Sequence, residues 1–212
     1  MTAIKHKAQR VGVFIDTQNL YHSAKNLFRS RVNFGAVLKE SVAGRTLIHA
    51  AAYVVTTESG DEKAFFEALT KIGIETKTKD LQVFYGGAKK ADWDVGMAID
   101  AVKFSGKLDA IILATGDGDF VPLVEYLKSQ GVQVEVIAFG KSSSGRLREA
   151  ADDFIDMGEN PKAFLLGNSR SAYLPSFIAG TNPDDPEMPE KGDSDEDDDT
   201  TPMVVGSDTD GR

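Results

Sequence analysis

Two stretches set carboxylates directly behind apolar runs. Asp16-Thr17-Gln18-Asn19 follows VGVFI (11–15), and Thr115-Gly116-Asp117-Gly118-Asp119 ends the apolar run that begins at Ala110. A third group, Asp92 and Asp94 with Asp100 further on, opens an amphipathic stretch. Converging carboxylates repel one another, and a divalent cation is the usual remedy. Mg2+ and Mn2+ take oxygen ligands and keep several waters, which suits a small acidic cluster serving a phosphate substrate. Each aspartate also has a plainer reading. Asp16 and Asp119 each precede a helix and could cap it, and Pro122 in the first turn strengthens that reading for Asp119. Asp94 could simply favour the positive end of a helix dipole. Asp117 is the hardest to explain as a cap. Asp94 and Asp100 point about 120° apart on a helix, so they do not easily share one ion. Asp94 shares a face with Met97, Ala98 and Ala101 and is the better ligand, whereas Asp100 sits nearer Lys103 as an ion-pairing residue. Asp92 reads as a solvated turn residue. Gly-Asp-Gly-Asp alone is a common turn string, although glycines 116 and 118 permit tight turns and close approach of a substrate backbone.

The elements that must position these residues alternate. VGVFI (11–15), LIHAAAYVV (47–55), AIILATG (110–116) and VQVEVIAF (132–139) read as strands, with a last short one near 154–157. IETKTKDLQVFY (74–85) reads as an exposed or edge strand, followed by a basic turn at Lys89-Lys90. Helices are expected from Thr17 to about Ser30, after Asn33, from a capping box at 59–62 to Gly73, from Trp93 to Phe104, over 119–131, and briefly around 147–151. Strands alternating with helices imply right-handed crossovers and a three-layer α/β/α sandwich with a mainly parallel sheet. Its crevice should lie beyond the carboxyl ends of the strands, where the strand order reverses.

The net charge of −9 over 212 residues is unevenly spread. Residues 181–212 hold 12 acidic and 2 basic residues, leaving residues 1–180 at +1. The expected organisation is a flexible N-terminus (1–10), one domain (11–160), then a linker and a disordered acidic tail (161–212). The acidic pI therefore does not argue against a nucleic-acid partner. With no cysteine there is no disulfide framework, thiolate zinc site or cysteine nucleophile, and a reducing, cytoplasmic setting is expected. No apolar run is long enough for a membrane span, and the N-terminus lacks the apolar segment of a signal peptide. His6, His22 and His49 share no metal spacing, no Ser-His-acid set suggests a nucleophile, and no Walker-type loop is present. Ser142–Ser144 could meet a phosphate through backbone amides or could be an ordinary helix entry. Lys89, Lys90, Lys103, Lys141, Arg146 and Arg148 fall on the expected crevice side, where a phosphodiester backbone would meet them.

Three motifs, VFIDTQNLY (13–21), ADWDVGMAIDA (91–101) and ILATGDGDFVPLVEYLKSQGVQVEVIAFG (112–140), resemble in order and spacing those of the NYN-domain family, the LabA-like branch of the PIN-like ribonucleases. The resemblance runs from about Val11 to Met157. It implies acidic residues at strand ends that hold Mg2+ or Mn2+ and activate water against an RNA phosphodiester. By position it gives Asp16, Asp94, Asp117 and Asp119 as metal-site residues, with Asn19 as a polar helper. The family often carries Lys three residues before the helix aspartate. Here that position is Ala91, and Lys90 is the nearest substrate-binding lysine. The expectation is a metal-dependent ribonuclease acting on RNA, most simply single-stranded. A non-catalytic RNA-binding or regulatory module and a small-molecule phosphatase stand as alternatives. Self-association is left open, as is a contact of the acidic tail with a basic partner or with its own crevice.

Overall fold

The computed structural model describes residues 3–56, 63–80, 82–83, 89–90 and 93–166. The chain begins with β1 (Arg10–Asp16), α1 (Thr17–Phe28), β2 (Arg31–Val32), α2 (Phe34–Val42) and β3 (Thr46–Thr56). Next come α3 (Lys63–Lys71), β4 (Glu75–Asp80), β5 (Gln82–Val83), β6 (Lys89–Lys90) and α4 (Asp94–Ser105). The second half holds β7 (Ala110–Ala114), α5 (Val121–Ser129), β8 (Gln133–Ala138), α6 (Gly145–Ala150), β9 (Asp153–Asp156), α7 (Pro161–Phe164) and β10 (Leu165–Leu166).

Six strands form one sheet in the order β4-β3-β1-β7-β8-β9, and every pairing within it is parallel. From β1 the chain steps outward to β3 and β4, then returns to the other side of β1 for β7, β8 and β9. Right-handed crossovers in opposite directions put helices on opposite faces. The central strands accordingly read as continuous apolar runs. All of β7 is buried, and so is β1 from Val11 to Ile15. Phe14, Leu20, Tyr53, Met97, Phe120 and Leu127 are among the side chains that fill the core. The reversal of order falls between β1 and β7, so the carboxyl ends of these two strands flank the crevice.

Helix ends follow local chemistry. Asn33 caps α2 by accepting from the Ala36 amide. Gly73 and Gly131, at φ 84° and 80°, follow α3 and α5 in the left-handed region that glycine reaches without strain. Among the described residues, no helix is long and apolar enough to cross a membrane.

Several local expectations are corrected. The edge strand expected over 74–85 ends at Asp80, and Gln82–Val83 pair instead with Lys89–Lys90 as a separate antiparallel ribbon. Lys89-Lys90 is thus a strand, not a turn. Past residue 160 the chain still forms α7 and β10, and β10 pairs antiparallel with β2. Ahead of β1, Lys5 reaches Glu135 at 3.2 Å and Asp153 at 3.0 Å. The capping box at 59–62, Asp92 and the acidic tail lie outside the described residues.

Candidate metal centre

Asp16 is the last residue of β1, and Thr115 follows the last residue of the adjacent β7. Parallel pairing of Ile15 with Ala114 therefore sets the two side by side. Asp16 accepts the Asn19 amide at 3.0 Å, capping α1, and the Thr115 hydroxyl at 3.1 Å. The capping role anticipated for Asp16 is thus present. For the third motif it belongs to Asp117 instead of Asp119. Asp117 accepts the Asp119 amide at 2.9 Å and caps the short 3-10 turn Gly118–Phe120 that leads into α5. Asp119 sits inside that turn and is exposed.

Asp94 arrives on a different element. It is the first residue of α4, placed by Trp93, whose indole N–H donates to the Val54 carbonyl at 3.1 Å. The Trp93 ring packs edge-on against Tyr53. Only glycine fits at 96, because a Cβ there would lie 2.3 Å from the Trp93 ring. One carboxylate oxygen each from Asp94, Asp117 and Asp119 fall within 4.8 Å of one another. Asp16 is not within that trio, yet it feels the charges of both Asp94 and Asp117. Burial, helped by those two charges and opposed by the Asn19 and Thr115 hydrogen bonds, raises the Asp16 carboxyl from 3.8 to about 6.

All four aspartates lie at amino-terminal ends of helices or turns. The partial positive charge there offsets part of their mutual repulsion. A hard cation offsets more. Oxygens bound to one Mg2+ at about 2.1 Å sit roughly 3–4 Å apart, so the Asp94–Asp117–Asp119 set accommodates such an ion with small side-chain rotations.

Asp100 faces elsewhere. It accepts from Lys77 at 2.6 Å and from the Tyr53 hydroxyl at 3.0 Å, and it lies 3.6 Å from Lys103. Burial pushes its carboxyl up, but Lys77, Tyr53 and Lys103 together hold it below the ordinary value. Asn19 uses its carbonyl oxygen to hold the Gly116 amide at 2.8 Å, so it fixes the acidic loop. Gly116 and Gly118 make room for the chain's own Ser143 and Ser144. A Cβ at 116 would lie 2.6 Å from Ser143 Oγ, and one at 118 would lie 2.8 Å from Ser144 Oγ. The Ser142–Ser144 segment closes onto that loop, with the Ser144 amide donating to the Gly116 carbonyl at 2.9 Å. Lys141, Arg146 and Arg148 are exposed on this same segment and on α6. Lys90 is described only through its backbone pairing with Gln82. His49 is stacked on Phe104 within the body of the sheet, away from the acidic trio. Thr115 and Trp93 were not singled out from the sequence. The Thr115 position at a strand end before Gly-Asp was the available signal.

An acidic cluster thus lies at the switch point of a parallel α/β sheet. Residues 10–159 match the family model for the NYN domain, and the chain belongs to that family. It is 26% identical over 164 residues to the low amplitude and bright protein LabA of Synechococcus elongatus, covering 72% of this chain and 86% of LabA. It is 29% identical over 163 residues to the uncharacterized protein MJ0482 of Methanocaldococcus jannaschii, covering 74% of this chain and 59% of that one. A crystal structure of a protein of unknown function, VPA0982 from Vibrio parahaemolyticus, superposes with a TM-score of 0.69 at 27% identity. The match covers 77% of this chain and all of that one.

Proposed function

We propose that the protein is a divalent-metal-dependent ribonuclease that hydrolyses phosphodiester bonds of single-stranded RNA. The observation that carries this reading is the convergence of Asp94, Asp117 and Asp119 oxygens within 4.8 Å at the reversal of strand order. Membership of a nuclease-type family supports it. In this reading Asp94, Asp117 and Asp119 hold Mg2+ or Mn2+, and Asp16 borders the site. When bound, the ion lowers the pKa of a coordinated water and neutralises charge on the phosphate oxygens.

The chain's own groups do the rest. Thr115 hydrogen-bonds Asp16 and receives the Asp117 amide at 3.2 Å, so the two carboxylates keep a fixed relation. Asn19 holds Gly116, which keeps the acidic loop from swinging away from β1. Asp16 borders the trio with its carboxylate held by the Asn19 amide and the Thr115 hydroxyl, which fixes its position beside Asp94 and Asp117. Lys141 and Arg146, with Lys90, supply positive charge for the RNA backbone. Exposure of Asp119 leaves the trio reachable by a polymer.

The test is cleavage of a single-stranded oligoribonucleotide by wild type and Asp117→Asn, with Mn2+ and with EDTA. Metal-dependent cleavage lost in the variant is expected. Binding without cleavage in both proteins would instead make this a binding or regulatory module. Turnover confined to small phosphate esters would make it a phosphatase.

A further inference from the structure

Two helices leave the acidic trio together, and a groove of about 500 Å3 runs between them. One wall is α4, with Asp94 at its start and Val95, Ala98 and Val102 along it. The other begins at Asp119 and continues through Pro122, Leu123 and Tyr126 of α5. These positions recur every three or four residues, so each wall is one face of a helix. Val95 is 69% exposed and Tyr126 is 46% exposed, although both are large apolar or aromatic side chains. At about 1.5 Å per residue, the strip extends roughly 10 Å from the carboxylates to Tyr126.

We propose that this groove seats the nucleobase adjoining the phosphate held at the acidic trio, with Tyr126 as its stacking surface. The proposal rests on the ribonuclease reading, because the phosphate anchors the nucleotide at the groove's mouth. Asp94 and Asp119 belong to both the trio and the groove, so the two are one continuous surface. The groove's lining has no basic side chain and its two carboxylates, Asp94 and Asp119, sit at the mouth, so beyond them it offers nothing to a phosphate and only apolar and aromatic surface to a base. Its volume lies within the ~300–1,000 Å3 usual for small-ligand sites. Charge disfavours the other occupants this chain could supply. Residues 181–212, with 12 acidic and 2 basic residues, would meet a carboxylate mouth. A second copy docked about a two-fold axis running along the groove would bring two acidic trios together.

The experiment measures binding of a fluorescein-labelled octameric oligoadenylate and of an abasic strand of the same length, with Ca2+ present. Cleavage is followed in parallel with Mn2+. The full chain is compared with Tyr126→Ala and Tyr126→Phe, exposed positions at which folding is not at stake. Tyr126→Ala should weaken oligoadenylate binding about tenfold, Tyr126→Phe should restore it, and the abasic strand should not distinguish them. Equal losses on both strands, or none on oligoadenylate, overturn the groove while leaving cleavage and its Asp117 dependence intact. Binding of neither strand by wild type overturns the groove, whereas absence of Mn2+-dependent cleavage overturns the ribonuclease reading. A wild-type dimer by sedimentation that Tyr126→Ala dissociates overturns it too, making the groove a self-association face.

Discussion

Thr115 donates its hydroxyl hydrogen to the Asp16 carboxylate at 3.1 Å, joining two strand ends that are 99 residues apart in the chain. The same oxygen accepts the Asp117 amide at 3.2 Å. Thr115 is fully buried, so no water replaces either bond once the hydroxyl is removed. A small hydroxyl thereby ties the carboxylate that closes β1 to the loop that carries Asp117. Valine at 115 keeps the shape and deletes both bonds. Thr115→Val should cost about 1–3 kcal/mol of stability, the usual penalty for orphaning buried polar groups. It should lower kcat for RNA cleavage at least tenfold with little change in KM, and Thr115→Ser should recover most of it. A loss confined to KM would remove the positioning role.

Asp16 makes stability fall with pH in a defined window. Its folded-state value is raised to about 6 from an ordinary 3.8, chiefly by burial. Between about pH 4 and 6 the folded chain therefore binds more protons than the unfolded one, and stability declines as pH rises through that interval. Asparagine caps a helix as well as aspartate does and carries no charge. In EDTA, Asp16→Asn should be more stable than wild type by about 1–2 kcal/mol above pH 6, less than the full shift implies because the side chain is partly exposed. The two should converge below about pH 4. Urea unfolding at both pH values checks this, and an equal difference at both would disprove it.

Gly118 is required by its neighbour, not by its own dihedral angles. A Cβ there would lie 2.8 Å from Ser144 Oγ and 3.0 Å from Ser144 Cβ. Gly118→Ala should destabilise by about 1–3 kcal/mol through overpacking. Adding Ser144→Gly removes both opposing atoms and should return most of that loss. Gly116→Ala has no comparable rescue, because its Cβ would also meet the Ser143 Cα at 3.0 Å. A double-mutant cycle by thermal unfolding measures the coupling.

The layout of the sheet was legible because its central strands are unbroken apolar runs and each helix has a period of its own. VGVFI and AIILA end abruptly in Asp16 and Thr115, which exposes the crevice to a reader of the sequence. Separating Asp94 from Asp100 needed only helical geometry, and the two aspartates face different neighbours. Two-residue strands such as β2, β5, β6 and β10 carry no periodicity, since they exist only through their partners. Which aspartate caps which turn depends on backbone torsions that the residue types do not encode. Glu135 sits in a strand that reads as ordinary alternation, and its partner Arg45 is 90 residues away. No local signal links them.

That pair governs stability at the end of the sheet opposite the acidic trio. Arg45 and Glu135 are joined by two hydrogen bonds, one of them 3.0 Å, with side chains 1% and 0% exposed. Burial pushes the Glu135 carboxyl up, but Arg45, Lys5 and the Gln133 amide outweigh it and hold the value below 4.5. The pair therefore stabilises the fold fully above about pH 4.5, and its contribution is lost as pH falls further. Glu135→Gln strands a buried guanidinium and should cost about 3–5 kcal/mol in urea unfolding at pH 7. Removing both charges together, as Arg45→Met with Glu135→Leu, should recover most of that, because neither ion is then left without a partner. Since Arg45 precedes β3 whereas Asp117 and Asp119 follow β7 and Asp94 opens α4, Mn2+ affinity of the folded double variant should equal that of wild type. A changed affinity would mean that the two ends of the sheet are coupled and that the acidic trio depends on more than its local hydrogen bonds.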